Sequence, residues 1–209
     1  MLAWQLGRSD KALYEDHIKK AADFIMNFPD APFTPQERWE NQSGYSPGTI
    51  AAEIAGLVCA ADIARKNGDA ASAARYEQTA DDWQQRVEAW TATTNGPYSP
   101  RPYYLRLTKD GNPNAGTTYS IGDSGPAEVD QRKVVDPSYL ELVRLGVKRA
   151  NDPAILNTVN VVDQQLAAGD PSVREMAYGD DLVFCTETLA PGEVYEIAGV
   201  WRTLQARTR

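Results

Sequence analysis

Histidine occurs once in this chain of 209 residues, at His17, and cysteine twice, at Cys59 and Cys185. Two cysteines are too few for a disulfide framework, and with no Cys-x-x-Cys pair and no histidine cluster the ligand spacing of a zinc site is missing. No other cofactor is implied. A single histidine with no serine or cysteine nucleophile motif beside it also argues against triad chemistry, so His17 reads as a surface or partly buried side chain. Lysine and arginine number 21 against 29 acidic residues, a net charge of -8. A phosphate-binding surface needs clustered cations that are lacking here, so nucleic acid is not expected as a partner, whereas neutral sugars stay acceptable. The first residues, Met1 to Gly7, carry no basic lead and no long apolar run, so they read as neither a signal peptide nor a membrane span. No localisation follows. Trp4 and Leu6 stand ahead of the first helix without a polar lead-in, as in the interior of a longer chain.

What is present is enough apolar surface, 42% of residues, for one domain with a substantial core. Tyr14, Ile18, Ala21, Ile25 and Phe28 recur at helical spacing, with Ser9 or Asp10 as cap and Pro29 as stop. Ser46-Pro47 opens a second helix whose apolar face, Ile50, Ile54, Leu57, Val58 and Ala61, is backed by small residues from Ala51 to Ala60. Small residues on both sides predict enclosure by neighbours. After Asn67-Gly68, the series Ala73, Tyr76, Ala80, Trp83, Val87 and Trp90 marks an amphipathic outer helix, with its aromatic rings read as core. From Thr91 to Glu128 helical period gives way to prolines and glycines, and Tyr103 to Leu107 and Thr117 to Ile121 are expected to pair as a hairpin about Lys109 to Asn112. Asp136-Pro137 and Asp152-Pro153 each announce a further helix, the second carrying Ile155, Val159, Val162 and Leu166.

The chemistry is concentrated in one loop. Glu37, Arg38, Trp39 and Glu40 stand together just ahead of the second helix. Loops on a rigid scaffold are where catalytic groups are aimed at solvent, and a carboxyl beside an indole combines a proton donor with an apolar platform for a pyranose ring.

Gln36 to Asn41, followed by Gly44 to Leu57, resembles the motif of bacterial glycoside hydrolase family 15, the glucoamylases and glucodextranases with some trehalases. The likeness extends through Arg132 to Leu166. It implies an all-α fold, an (α/α)6 toroid-type helical barrel of which this chain holds part, with the β-hairpin as an excursion. It also implies an α-glucan or oligosaccharide substrate, cleaved with inversion to release glucose. By the family pattern Glu40 is the general acid, and the acidic residues three before and one after it bind sugar hydroxyls. Glu37 fills the first of these positions and Asn41 stands at the second, where an amide can still bond a hydroxyl but cannot repel a proton onto Glu40. Trp39 and Arg38 complete the expected substrate contacts, with Arg132, Tyr103 and Tyr104 as further rim candidates. A donor must stay protonated near neutral pH, which burial against Trp39 or the charge of Glu37 would promote.

Beyond about Asp170 the resemblance fades. The expected organisation is a single partial barrel domain over residues 1–209, of which 170–209 match poorly. Inverting glycosidases need a second carboxylate about 6.5–9.5 Å from the first to activate water. Asp180, Asp181, Glu187, Glu193 and Glu196 lie in the unmatched segment, so no base is assigned. A shortened chain, weakly active or inactive by itself, is expected, with a trehalase of the same family or a non-catalytic carbohydrate-binding fragment as the competing readings. The oligomeric state is not legible.

Overall fold

A helical hairpin dominates the architecture. The computed structural model describes residues 1–122 and 125–167, with side chains through Gln165. Helix α1 (Leu2–Gln5) is followed by a longer helix in three parts, α2 (Lys11–Leu13), a π turn (Tyr14–Ile18) and α3 (Lys19–Asn27). Asp10 caps it, accepting from the Leu13 amide, as expected. The π turn moves the apolar stripe: Ala22 is buried and Ala21 exposed, the reverse of the α-helical expectation. Each π turn adds a residue to the i→i+4 spacing and so rotates everything after it. His17 is exposed.

Helix α4 (Pro47–Lys66) packs along α5 (Ala70–Thr91), joined by a turn in which Gly68 has φ 79 and Asp69 caps α5 through the Ser72 amide. Ser46, expected as a side-chain cap for α4, makes no such bond. The start depends instead on Pro47 at the first helical position, whose absent N–H leaves one fewer donor to satisfy. Ile50, Ile54, Leu57, Ala61 and Ala64 of α4 meet Ala73, Tyr76, Ala80, Trp83 and Val87 of α5 in one core. By length and composition α4 is apolar enough to cross a membrane, yet 61% of that stretch is buried inside the protein, as for a core helix. Enclosure on both sides is not reached, because Ala52 is exposed and Val58 is 51% exposed among the described residues.

The expected hairpin is replaced by two shorter ones. β1 (Ala92–Thr93) pairs antiparallel with β2 (Tyr103–Tyr104), and β3 (Thr118–Tyr119) with β4 (Val129–Asp130). The physical reason lies in competing partners. Leu105 donates its amide to Thr91 O, Arg106 to Val134 O, and Thr108 pairs with Tyr45. The intervening turn closes on a distant side chain: buried Gln131 donates from Nε2 to Asn112 O and Ala115 O and accepts at Oε1 from Lys109 N. Tyr103 and Tyr104 are fully buried and so cannot serve as rim contacts.

The segment expected as one helix after Asp136 is a 3₁₀ turn (Pro137–Leu140) with a single turn of α6 (Glu141–Arg144). Helix α7 (Pro153–Ala167) begins at the Asp152 carboxylate, which accepts from Ala154 N at 2.9 Å. Asp152→Ala removes this cap and is expected to lower stability by about 1 kcal/mol, read as a fall in thermal midpoint.

Candidate active site

The loop that carries Glu40 is closed at its base by reciprocal backbone bonds between Thr34 and Gly44, both 2.9 Å. Gly44 has φ 154, and a Cβ there would run into the Thr108 carbonyl and the Leu107 side chain. Only glycine permits this approach. One residue on, Tyr45 and Thr108 exchange backbone bonds of 2.8 and 3.0 Å, fastening the loop to the strand-like segment 103–109. Within the loop, Glu37 N donates to Gln42 O and Glu40 N to Glu37 O, forming a tight turn over residues 37–40.

Glu37 is buried, with 3% of its surface exposed. Both carboxylate oxygens are occupied: Oε1 accepts from Arg106 Nη2 at 2.7 Å and Oε2 from the Trp39 amide at 3.0 Å. Its charge is therefore compensated. The expectation that Glu37 lends a free negative charge to Glu40 is not met, because a guanidinium from a residue 69 positions away balances it. Asn41 is also engaged, Oδ1 accepting from Arg106 Nη2 at 2.5 Å and Nδ2 donating to Ile121 O at 3.3 Å. The turn is thus pinned before and after Glu40.

Trp39 donates its indole N–H to Asp136 Oδ2 at 2.7 Å, while Asp136 Oδ1 accepts from the Ser138 amide and hydroxyl. Asp136 accordingly does two jobs, holding the start of the 3₁₀ turn and fixing the plane of the indole. Arg38 is exposed and lies over the Trp39 ring at 5.7 Å. Arg132 is paired with Asp130 and stays away from this cluster's bonds.

Glu40 itself is exposed and adopts φ 60, the left-handed region that a glutamate enters at a cost of about 1 kcal/mol or more. The burial against Trp39 expected for it is absent among the described residues. Its main-chain oxygen accepts from Gln36 Nε2 at 3.1 Å. The residues considered for the base, Asp180 to Glu196, lie outside the described residues.

Arg106, Asp136 and Lys109 were not singled out from the sequence as site residues, since their partners are far away in the chain and no local motif marks them. Lys109 Nζ donates to Ser43 O at 2.7 Å and to Gln42 Oε1 at 3.0 Å, and partial burial depresses its pKa. Tyr119 is 5% exposed and its hydroxyl has no hydrogen-bond partner among the described residues; burial pushes its pKa upward. Removing an unpaired buried hydroxyl relieves a desolvation cost, so Tyr119→Phe is expected to leave the thermal midpoint unchanged or raise stability by up to about 1 kcal/mol.

Three comparisons place this geometry among known proteins. The model of glycosyl hydrolases family 15 matches residues 2–172. A glucoamylase of Clostridium sp. (strain G0005) is 48% identical over 171 residues, covering 82% of this chain and 24% of that protein. A crystal structure of a bacterial glucoamylase complexed with acarbose is 49% identical with a TM-score of 0.73, over 78% of this chain and 23% of that one. The chain thus spans about a quarter of the length of these relatives. With this likeness the α4–α5 hairpin and its neighbours are part of an (α/α)6 toroid-type barrel, left unclosed by the described residues.

Proposed function

Because the chain belongs to glycosyl hydrolases family 15, we propose that it carries the proton-donor half of an inverting glycosidase that releases glucose from α-glucans, with Glu40 as general acid. The observation that supports this most is the build of the turn: an exposed carboxyl held in a left-handed conformation beside an indole whose orientation is fixed by Asp136. Such a conformation is retained only where surroundings over-determine it, and an exposed carboxyl is free to meet a glycosidic oxygen. Trp39 offers an apolar face for a sugar ring, Arg38 caps one side of it, and Glu37 and Asn41 shape the turn from below. The domain organisation read from this is one partial barrel domain, carried by the matched residues 2–172. No base is assigned among residues 1–167, and slow glucose release at most is expected of the chain by itself.

The exposure of Glu40 favours one second reading, a non-catalytic helical fragment that binds oligosaccharide without turnover. Calorimetry with acarbose and glucose release from maltose, isomaltose and trehalose separate the two. Binding with slow, Glu40-dependent release from maltose or isomaltose supports the donor role. Binding with no release from any substrate, unchanged in Glu40→Gln, supports the fragment reading, and preferential release from trehalose makes the protein a trehalase. No binding and no release sinks both.

A further inference from the structure

We propose that Arg106 is the positioning residue for Glu40, a role that rests on the reading of Glu40 as proton donor. One guanidinium reaches three residues on two stretches of chain: Glu37, three residues before Glu40, and Asn41, one residue after it, on the turn itself; and the carbonyl of Ile121, at 3.3 Å, on the segment that runs out of β3. A turn gripped on both sides of its tip by the same rigid group cannot swing as a unit. Glutamate at φ 60 relaxes to a right-handed or extended conformation when such a grip is released. Arg106 is 7% exposed and Glu37 3%, so the grip operates where water does not compete.

The surrounding sequence is consistent with a built device. Gly122 has φ 97, and a Cβ on it would collide with the Asn41 side chain, so glycine lets the 117–122 segment come close enough for Ile121 O to be shared by Arg106 and Asn41. Lys109, three residues further along the chain, holds Gln42 and Ser43. Lysine in place of Arg106 would keep the charge but lose the planar fork that serves several acceptors at once.

The test uses the full chain with ¹⁵N-labelled tryptophan indoles. The Trp39 indole signal, identified by its loss in Trp39→Phe, reports the turn, and the Trp4 indole, which donates to Asp62, serves as an internal reference. In Arg106→Met the Trp39 signal is expected to shift and its hydrogen exchange to accelerate by about tenfold or more, with Trp4 unchanged. Arg106→Lys is expected to remain loosened. Should Arg106→Met fail to fold, Glu37→Gln/Arg106→Met removes the stranded carboxylate and gives the same readout. A Trp39 indole that behaves as in the wild type in Arg106→Met or the double variant, whatever the fall in thermal midpoint, overturns the proposal, as does a lysine variant indistinguishable from wild type. The readout needs no sugar cleavage. A loosened Trp39 beside glucose release that ignores Glu40→Gln therefore counts against the donor reading alone, and a Trp39 that ignores Arg106 beside Glu40-dependent release counts against positioning alone.

Discussion

Arg106→Met is expected to lower the unfolding free energy by about 3–5 kcal/mol, and Glu37→Gln/Arg106→Met to recover most of that loss. The two side chains are 9% and 1% exposed and lie 2.7 Å apart. Removing one partner of a buried pair leaves an uncompensated charge in a poorly polarisable surrounding, and that penalty exceeds anything the pair contributed while intact. Neutralising both removes the penalty along with the attraction. Urea titrations of the two singles and the double close a cycle whose coupling is the expected signature, because residues sharing one network are not additive. A double variant as unstable as the worse single would mean that packing, and not charge, holds Arg106 in place.

The second large effect is a pH dependence centred on Glu53 of α4. Burial raises its pKa from the ordinary carboxylate value of 4.5 to about 8, and Oε2 has no hydrogen-bond partner among the described residues. Folding therefore favours the protonated side chain. The sign follows directly: stability from this group is whole below pH 4.5 and is lost as pH rises towards 8, because the folded state retains a proton that the unfolded chain releases. Glu53→Gln is expected to flatten that slope and to make the protein more stable at pH 8 by roughly 2–4 kcal/mol, the upper end discounted for partial exposure. Asp69 works in the opposite direction. Its carboxyl, bonded by Lys19, the Ser72 amide and Tyr14, is held below the usual range, so its contribution is present above about pH 4 and lost on acidification. The two windows leave a stability maximum at about pH 4–4.5, which chemical denaturation across pH 3–9 would locate.

Much of the helical frame was legible because its signals are local. Asp69, Asp10 and Asp152 each cap the helix that follows them, and the stripe from Ala73 to Val87 is buried as its period predicts. Local signals misled where distant partners intervened. The alternation in Tyr103–Leu107 does mark extended chain, but Thr91, Val134 and Tyr45 take its backbone bonds, so its expected partner strand pairs with Val129–Asp130 instead. The π turn at Tyr14–Ile18 carries no sequence mark that spacing rules detect, and one extra residue exchanged Ala21 for Ala22 in the core.

The loop shows the same division. Its residue types, Glu37 to Asn41, were found by their proximity in sequence and by resemblance. What fixes their geometry was not: Arg106 and Asp136 reach the loop across 69 and 97 positions. Glu37 is a buried member of an ion pair with Arg106. Gly44 and Gly122 matter because backbone or side chain passes where their Cβ would be, a property that emerges only once the segments are together.

The most direct measurement grafts residues 2–167 onto the remainder of the Clostridium glucoamylase, which is 48% identical over this region, and compares glucose release from maltose with and without Glu40→Gln. If Glu40 is the proton donor, the graft hydrolyses maltose and the amide lowers kcat by about 10²–10⁴ with the fold unchanged by circular dichroism. A graft that is active and loses less than about threefold on Glu40→Gln would contradict the account, since a group that gives no proton in the transition state costs nothing when its proton is removed.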